Sequence, residues 1–168
     1  MGSVELFDNH AERLTLAFLI ADPSPEAVGL ALGKLNPDDF HDKKHQVIFE
    51  QVGLFFQEKI RPSVLNLAMY LEKRGVLQLA GGKDYVAGLP SEVNGLTASA
   101  ILDLPILCDK LIELSTRRVN ESLGLEFAAA ARNLNISIAE LQGRVSEILT
   151  KGQRKDDKYC TFADMQDT

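Results

Sequence analysis

His41 and His45 stand four residues apart, the spacing at which two imidazoles on one helix face can share a metal ion. Between them lie Asp42, Lys43 and Lys44. Two adjacent cations oppose a bound dication and no third ligand falls at a matching spacing, so the pair reads as a helix-start histidine and a partly buried one. Asp38 and Asp39 are a carboxylate pair of the kind used in acid–base chemistry. Their place after Asn36-Pro37 gives them a simpler task, matching the positive end of a helix dipole in its first turn. Gly81-Gly82-Lys83 is the nearest approach to a phosphate-binding loop, but it lacks the first glycine at the required spacing and the following Ser or Thr. Neither GxSxG nor HExxH occurs. Cys108 and Cys160 form no CxxC and no paired framework, and read as two reduced thiols of a cytoplasmic protein. The expectation is therefore no catalytic, metal-binding or nucleotide-binding residue and no cofactor in this chain.

The elements that would position such residues are helical throughout. Leu14, Ala17, Phe18 and Ala21 follow the i, i+3, i+4, i+7 rule, with Asp8 or Asn9 as cap and a stop near Asp22-Pro23. Ser24-Pro25-Glu26 opens a second helix, to about Lys34. Asn36-Pro37-Asp38-Asp39 opens a single turn. A third full helix runs from about Lys43 to Glu58 with Ile48, Val52, Phe55 and Phe56 inward. Pro62-Ser63 starts a fourth, carrying Val64, Leu67, Ala68 and Leu71, and Lys73-Arg74-Gly75 ends it with a glycine suited to the left-handed conformation. Gly81-Gly82 breaks the chain before a short helix from about Lys83 to Leu89, ended by Pro90. Sustained apolar–polar alternation is missing, so the fold class is all-α: a globular multi-helix head over 1–95.

A change of character follows, with an antiparallel helical hairpin predicted over 96–151. Pro105 fits the first turn of a long helix, about 105–133, which at 1.5 Å per residue is about 45 Å long. Ser137-Ile138-Ala139-Glu140 reads as a capping box for a second helix, about 137–150. The turn between them is short, so the two lie antiparallel. Their stripes, Leu111, Leu114, Leu123 and Phe127 on one and Leu141, Val145 and Ile148 on the other, exceed what two helices can cover and mark a surface for self-association or a partner. Residues 152–168 read as a polar linker toward a further domain, broken off inside an unfinished element.

Charge limits the partners. The chain carries 18 Lys and Arg against 24 Asp and Glu, and the imbalance is concentrated in 1–104. A domain that grips a phosphate backbone needs the opposite surplus, so autonomous DNA binding is not expected. Phe49, Phe55 and Phe56 sit at helical spacing in this acidic stretch and read as core, not as a base-stacking platform. The chain has no apolar run near the ~20 residues that span a bilayer, so no membrane role is expected.

Three stretches resemble the N-terminal domain of the DnaB family of replicative DNA helicases. The first is Ala11-Glu12 leading into Leu16 to Pro23. The second is Asp38-Asp39-Phe40 followed by His45, Ile48 and Phe49. The third, the most specific, is Leu71-Glu72-Lys73-Arg74-Gly75-Val76-Leu77, then Ala80-Gly81-Gly82 and Tyr85. Order and spacing agree over roughly 8–150. Ala17 stands where the family usually has Gly, and Asp103-Leu104-Pro105-Ile106 replaces its Tyr-x-x-Ile, departures that suit a divergent member of phage or plasmid type. The resemblance implies a non-catalytic module of DNA replication in the cytoplasm. Its hairpins pair between subunits into a collar on a hexameric ring, primase docks on the collar, and a helicase loader is a further possible partner. ATP, Mg and the main DNA contact belong to a RecA-like motor domain that this chain lacks. The alternative is a stand-alone adaptor or loader with the same head and no motor.

Overall fold

The computed structural model describes residues 3–21, 24–94 and 100–153, with backbone only at 100 and 101. Among them are seven α-helices and two 3-10 turns, and no strand: α1 (Asn9–Ala21), α2 (Pro25–Lys34), η1 (Pro37–Asp39), α3 (Lys43–Gln57), α4 (Val64–Lys73), α5 (Lys83–Gly88), η2 (Leu89–Val93), α6 (Ala100–Ala131) and α7 (Ile138–Lys151). The starts are set by short polar side chains that satisfy the first turn's orphan amides. Asp8 Oδ1 accepts from Ala11 N–H (2.9 Å), Ser24 Oγ from Ala27 N–H (3.2 Å) and Ser63 Oγ from Asn66 N–H (3.1 Å). Gly75 has φ +72°, and Val76 N–H then reaches back to Leu71 O (2.9 Å), closing α4.

The head is built around α1, which packs against α3, α6 and η2. Its burial does not follow the predicted stripe. Leu14 is half-buried and Ala21 exposed, whereas Leu16, Ala17, Phe18, Leu19 and Ile20 are all buried. A helix covered on several sides loses the one-faced pattern of a surface helix. The core continues through Leu35, Phe40, Ile48, Phe49, Val52, Phe55, Leu67 and Leu71. Phe40 and Phe49 meet with centroids 4.9 Å apart, and Phe55 meets Tyr70 edge-on at 5.0 Å. Each such side chain, fully buried, contributes about 1.5–3 kcal/mol.

The long helix departs from expectation at its start. It begins at Ala100, so Pro105 lies inside it and not in its first turn. A proline there forfeits one backbone hydrogen bond, and the buried neighbours Leu104, Cys108 and Leu111 hold the segment in place. These three belong to the head's core cluster. Leu111, expected on an associating stripe, is therefore sealed inside the head. Lys34 Nζ donates to Asp109 Oδ1 (2.9 Å), adding an exposed tie between α2 and α6. The short helix α5 also ends sooner than expected. It stops at Gly88, and Pro90 is taken into η2.

Candidate functional site

The motif residues of the head converge on one buried polar chain. Glu12, on α1, is 1% exposed. Its Oε1 accepts from His41 N–H (2.6 Å) and its Oε2 from Asp42 N–H (3.3 Å), at the entry to α3. His45 Nδ1 lies 2.5 Å from Oε2, and His45 Nε2 lies 2.6 Å from the Tyr85 hydroxyl on α5. A carboxylate only accepts, so Nδ1 carries the hydrogen, and in the neutral ring Nε2 accepts from Tyr85. Gly81 makes room for this. Its φ is +94°, and a Cβ there would stand 2.7 Å from the Tyr85 ring. Tyr85 also sits under the Lys44 ammonium, 4.5 Å from its centroid, and burial pushes its hydroxyl above the usual phenol range. Three helices are pinned together with each buried donor or acceptor of the chain paired. It has the makings of a structural lock, and no cluster of side chains that could hold a metal ion occurs among the described residues. The His41 side chain lies outside the lock, exposed and stacked on Phe7 with centroids 4.3 Å apart, although its backbone N–H is one of the lock's donors.

Asp38 and Asp39 part ways. Asp38 is exposed at the first turn, as a dipole-matching acid should be. Asp39 is 3% exposed and does more than match a dipole. Its Oδ2 accepts from Asn36 N–H (2.7 Å) and its Oδ1 from the Ser115 hydroxyl (2.6 Å) on α6. One turn further on, Arg118 donates to Asp39 O (2.9 Å) and to Leu6 O (2.7 Å). Lys110 pairs with Asp8, whose carboxyl it holds below the usual range. These polar contacts tie α6 to η1 and to the N-terminal segment.

Beyond Arg118 the outer part of α6 keeps α7 as its partner. The seam between them holds Leu123 and Ala130, both buried, with Phe127, Leu141 and Ile148 half-buried. Leu114 is half-buried further down. Val145 is 39% exposed and stands on α7's flank with Ile138 and Leu149, exposed by 75% and 66%. The opposite flank is charged. A 460 Å³ cleft there is lined by Glu126, Phe127, Glu140, Arg144, Glu147 and Lys151, among others. Ser137 Oγ accepts from Glu140 N–H (3.1 Å), one half of the predicted capping box; the Glu140 carboxylate, instead of reaching back, accepts from Arg144 (3.3 Å). No residue of α7 is buried. Ile138 and Leu149 are further apolar positions of α7 beside Leu141, Val145 and Ile148. That they and Val145 share one flank, apart from the seam, is a property of the folded hairpin.

Comparison with known proteins places this architecture. Residues 4–100 match the family of the DnaB-like helicase N terminal domain. The chain belongs to that family. Its curated relatives include the replicative DNA helicase DnaB of Treponema pallidum, 27% identical over 153 residues, covering 91% of this chain and 34% of the relative. The replicative DNA helicase DnaB of Rhodothermus marinus is 28% identical over 107 residues, covering 64% of this chain and 11% of that protein. The chain thus spans about a third or less of the relatives it matches. Among solved structures, the crystal structure of the N-terminal domain of DnaB helicase from Mycobacterium tuberculosis superposes with a TM-score of 0.76 at 20% identity, covering 88% of this chain and 99% of that one. The all-helical fold is shared with it. The lock residues Glu12, His45, Gly81 and Tyr85 are all within the matched DnaB-like segment, whereas the hairpin from 101 onward is outside it.

Proposed function

We propose that this DnaB-like domain is a non-catalytic module of a replicative DNA helicase, joining subunits into the ring and docking primase on the hairpin. The observation that carries this is α7. A helix of 14 residues with none buried gains little from its own chain, and isolated helices of that length are marginal in water. Ile138, Val145 and Leu149 are apolar and exposed on one flank of it, which suits a surface that meets another protein. The relatives, replicative DNA helicases, supply the setting. In that reading ATP, Mg and most DNA contact belong to a motor domain following the hairpin, and the full-length protein works in the cytoplasm. No helix among the described residues is long and apolar enough to cross a membrane.

The test joins two measurements in one buffer: the chain's mass by light scattering across concentration, and calorimetric titration with the C-terminal domain of primase from the same source. Expected are a concentration-dependent dimer or larger species, and micromolar or tighter binding with fewer primase molecules than chains. A strict monomer at high micromolar concentration that also ignores primase overturns the proposal.

A further inference from the structure

The polar contacts at the foot of the hairpin form a unit that neither the head's core nor the open flank explains. Arg118 is part-buried, and its guanidinium donates to two main-chain carbonyls, those of Leu6 and Asp39. A charged donor holding two carbonyls from separate stretches fixes a position and a direction, because guanidinium hydrogens are set in a rigid plane. Ser115 adds a third fixed point through the Asp39 carboxylate. The N-terminal segment is drawn across the same place. Asp8 pairs with Lys110, Phe7 stacks on His41, and Leu6 offers its carbonyl to Arg118. On the far side, α7 comes home to the same level of α6. A Cβ added to Gly152 would lie 3.0 Å from Asn120 Oδ1 and 3.6 Å from Leu123 Cδ1. The point where α6 leaves the head, the N-terminal segment and the end of α7 thus meet within about one helical turn of Arg118 along α6.

We infer that Arg118 is a positioning residue and residues 6–8 a strap, which together set the angle of the hairpin on the head. The strap closes over α6 and Arg118 bolts it to η1, so the outer hairpin leaves the head in one direction instead of sweeping a cone. Losing either the bolt or the strap lets the angle vary while core and lock stay intact. This rests on the docking reading for its use, since a partner spanning two hairpins needs them at a fixed angle. Its geometry does not depend on that reading.

Double electron–electron resonance tests it. Spin labels are placed at Glu58→Cys on the head and Asn135→Cys at the hairpin tip, both exposed positions. Cys160→Ser removes the other reactive thiol, and excess unlabelled chain suppresses distances between copies. The otherwise unaltered chain is expected to give one narrow distance peak. Arg118→Ala broadens and shifts it, as does a chain shortened to begin at Asp8, which lacks the Leu6 carbonyl. Arg118→Lys recovers part of the narrowing, because an ammonium can still serve one carbonyl. Arg117→Ala, whose guanidinium pairs with Glu113 on the same helix, leaves the peak unchanged. An unaltered peak in the shortened chain and in folded Arg118→Ala overturns the inference. Should Arg118→Ala fail to fold, the shortened chain and Arg118→Lys decide it alone. Failure here leaves oligomer mass and primase binding untouched, whereas failure of the docking proposal leaves the distances untouched.

Discussion

The head and the hairpin are both all-helical and joined by one continuous helix, yet they use their side chains in opposite ways. In the head even the polar residues go inside: Glu12, Asp39 and His45 are each 3% exposed or less. In the hairpin even apolar residues stay outside, with Ile138 and Leu149 more than half exposed. Buried polar groups are stabilising only when every one is paired, so the head spends its polar residues on a single defined arrangement. The exposed apolar groups of the hairpin have no complement among the described residues, and on the docking proposal another chain supplies it. On the proposed docking role, the contrast teaches that stability and association are lodged in separate parts of this domain, and substitutions should separate them.

The sharpest break is expected at Glu12. Glu12→Ala strips the acceptor from His41 N–H, Asp42 N–H and His45 together. Each buried donor left unsatisfied costs about 1–3 kcal/mol, so the urea midpoint should fall further than for any hairpin substitution. A drop no larger than that of a surface change would show that the lock does not hold the head together. Next comes Gly81→Ala, which meets both a left-handed backbone and the Tyr85 ring, for about 1–3 kcal/mol. Gly75→Ala is the control. It has the same sign of φ and open space around its Cβ, so only the backbone penalty of about 1–2 kcal/mol applies. Equal losses at the two glycines would deny Tyr85 its close approach.

Cys108 gives a pH signature confined to the head. Burial pushes its thiol up to about 12. Between its ordinary range and 12 the unfolded chain releases this proton and the folded chain does not. Stability is therefore fully present below about 9 and declines as pH rises, by about 1.4 kcal/mol per pH unit from this group. In a Cys160→Ser background, a thiol reagent at pH 8 should react with Cys108 only as fast as the head unfolds. Rapid reaction in the native state would place Cys108 outside the core. The smallest effect on folding is expected on the hairpin flank. Val145→Asp with Leu149→Asp should stay within about 0.5 kcal/mol when measured on the monomer, while shifting the mass at high concentration toward monomer. A large loss of monomer stability there would mean that the flank is already covered.

Helix ends in this domain were readable because their causes are local. Ser24, Ser63, Ser137 and Gly75 act on residues three or four away, and each is where the sequence pattern puts it. Pro105 misleads for the same reason. A proline in the first turn and one a turn inside differ only in what lies upstream and in what tertiary contacts hold the segment, and the latter are not local. Asp39 was legible as an acid at a helix start, yet its bond to Ser115 spans 76 residues. Glu12, His45, Gly81 and Tyr85 were visible as motif members. Only the fold shows that the four share one chain of contacts. The hairpin's stripes were legible as apolar. Their division into seam and flank needed the crossing of the two helices, and Leu111 needed the head.

The bare state of α7 bears on how quickly its amides meet solvent. A helix with no buried side chain opens without disturbing the core, so its backbone amides should exchange with deuterium through local opening, well before those of α1 or α3, which exchange through global unfolding. A ligand of the hairpin therefore binds a population that is only partly closed, and its apparent affinity is reduced by the open fraction. If subunits dock there as proposed, the first to seat against α7 would raise that closed fraction for the next, a cooperativity that arises from the helix's own fraying and needs no change of shape in the head.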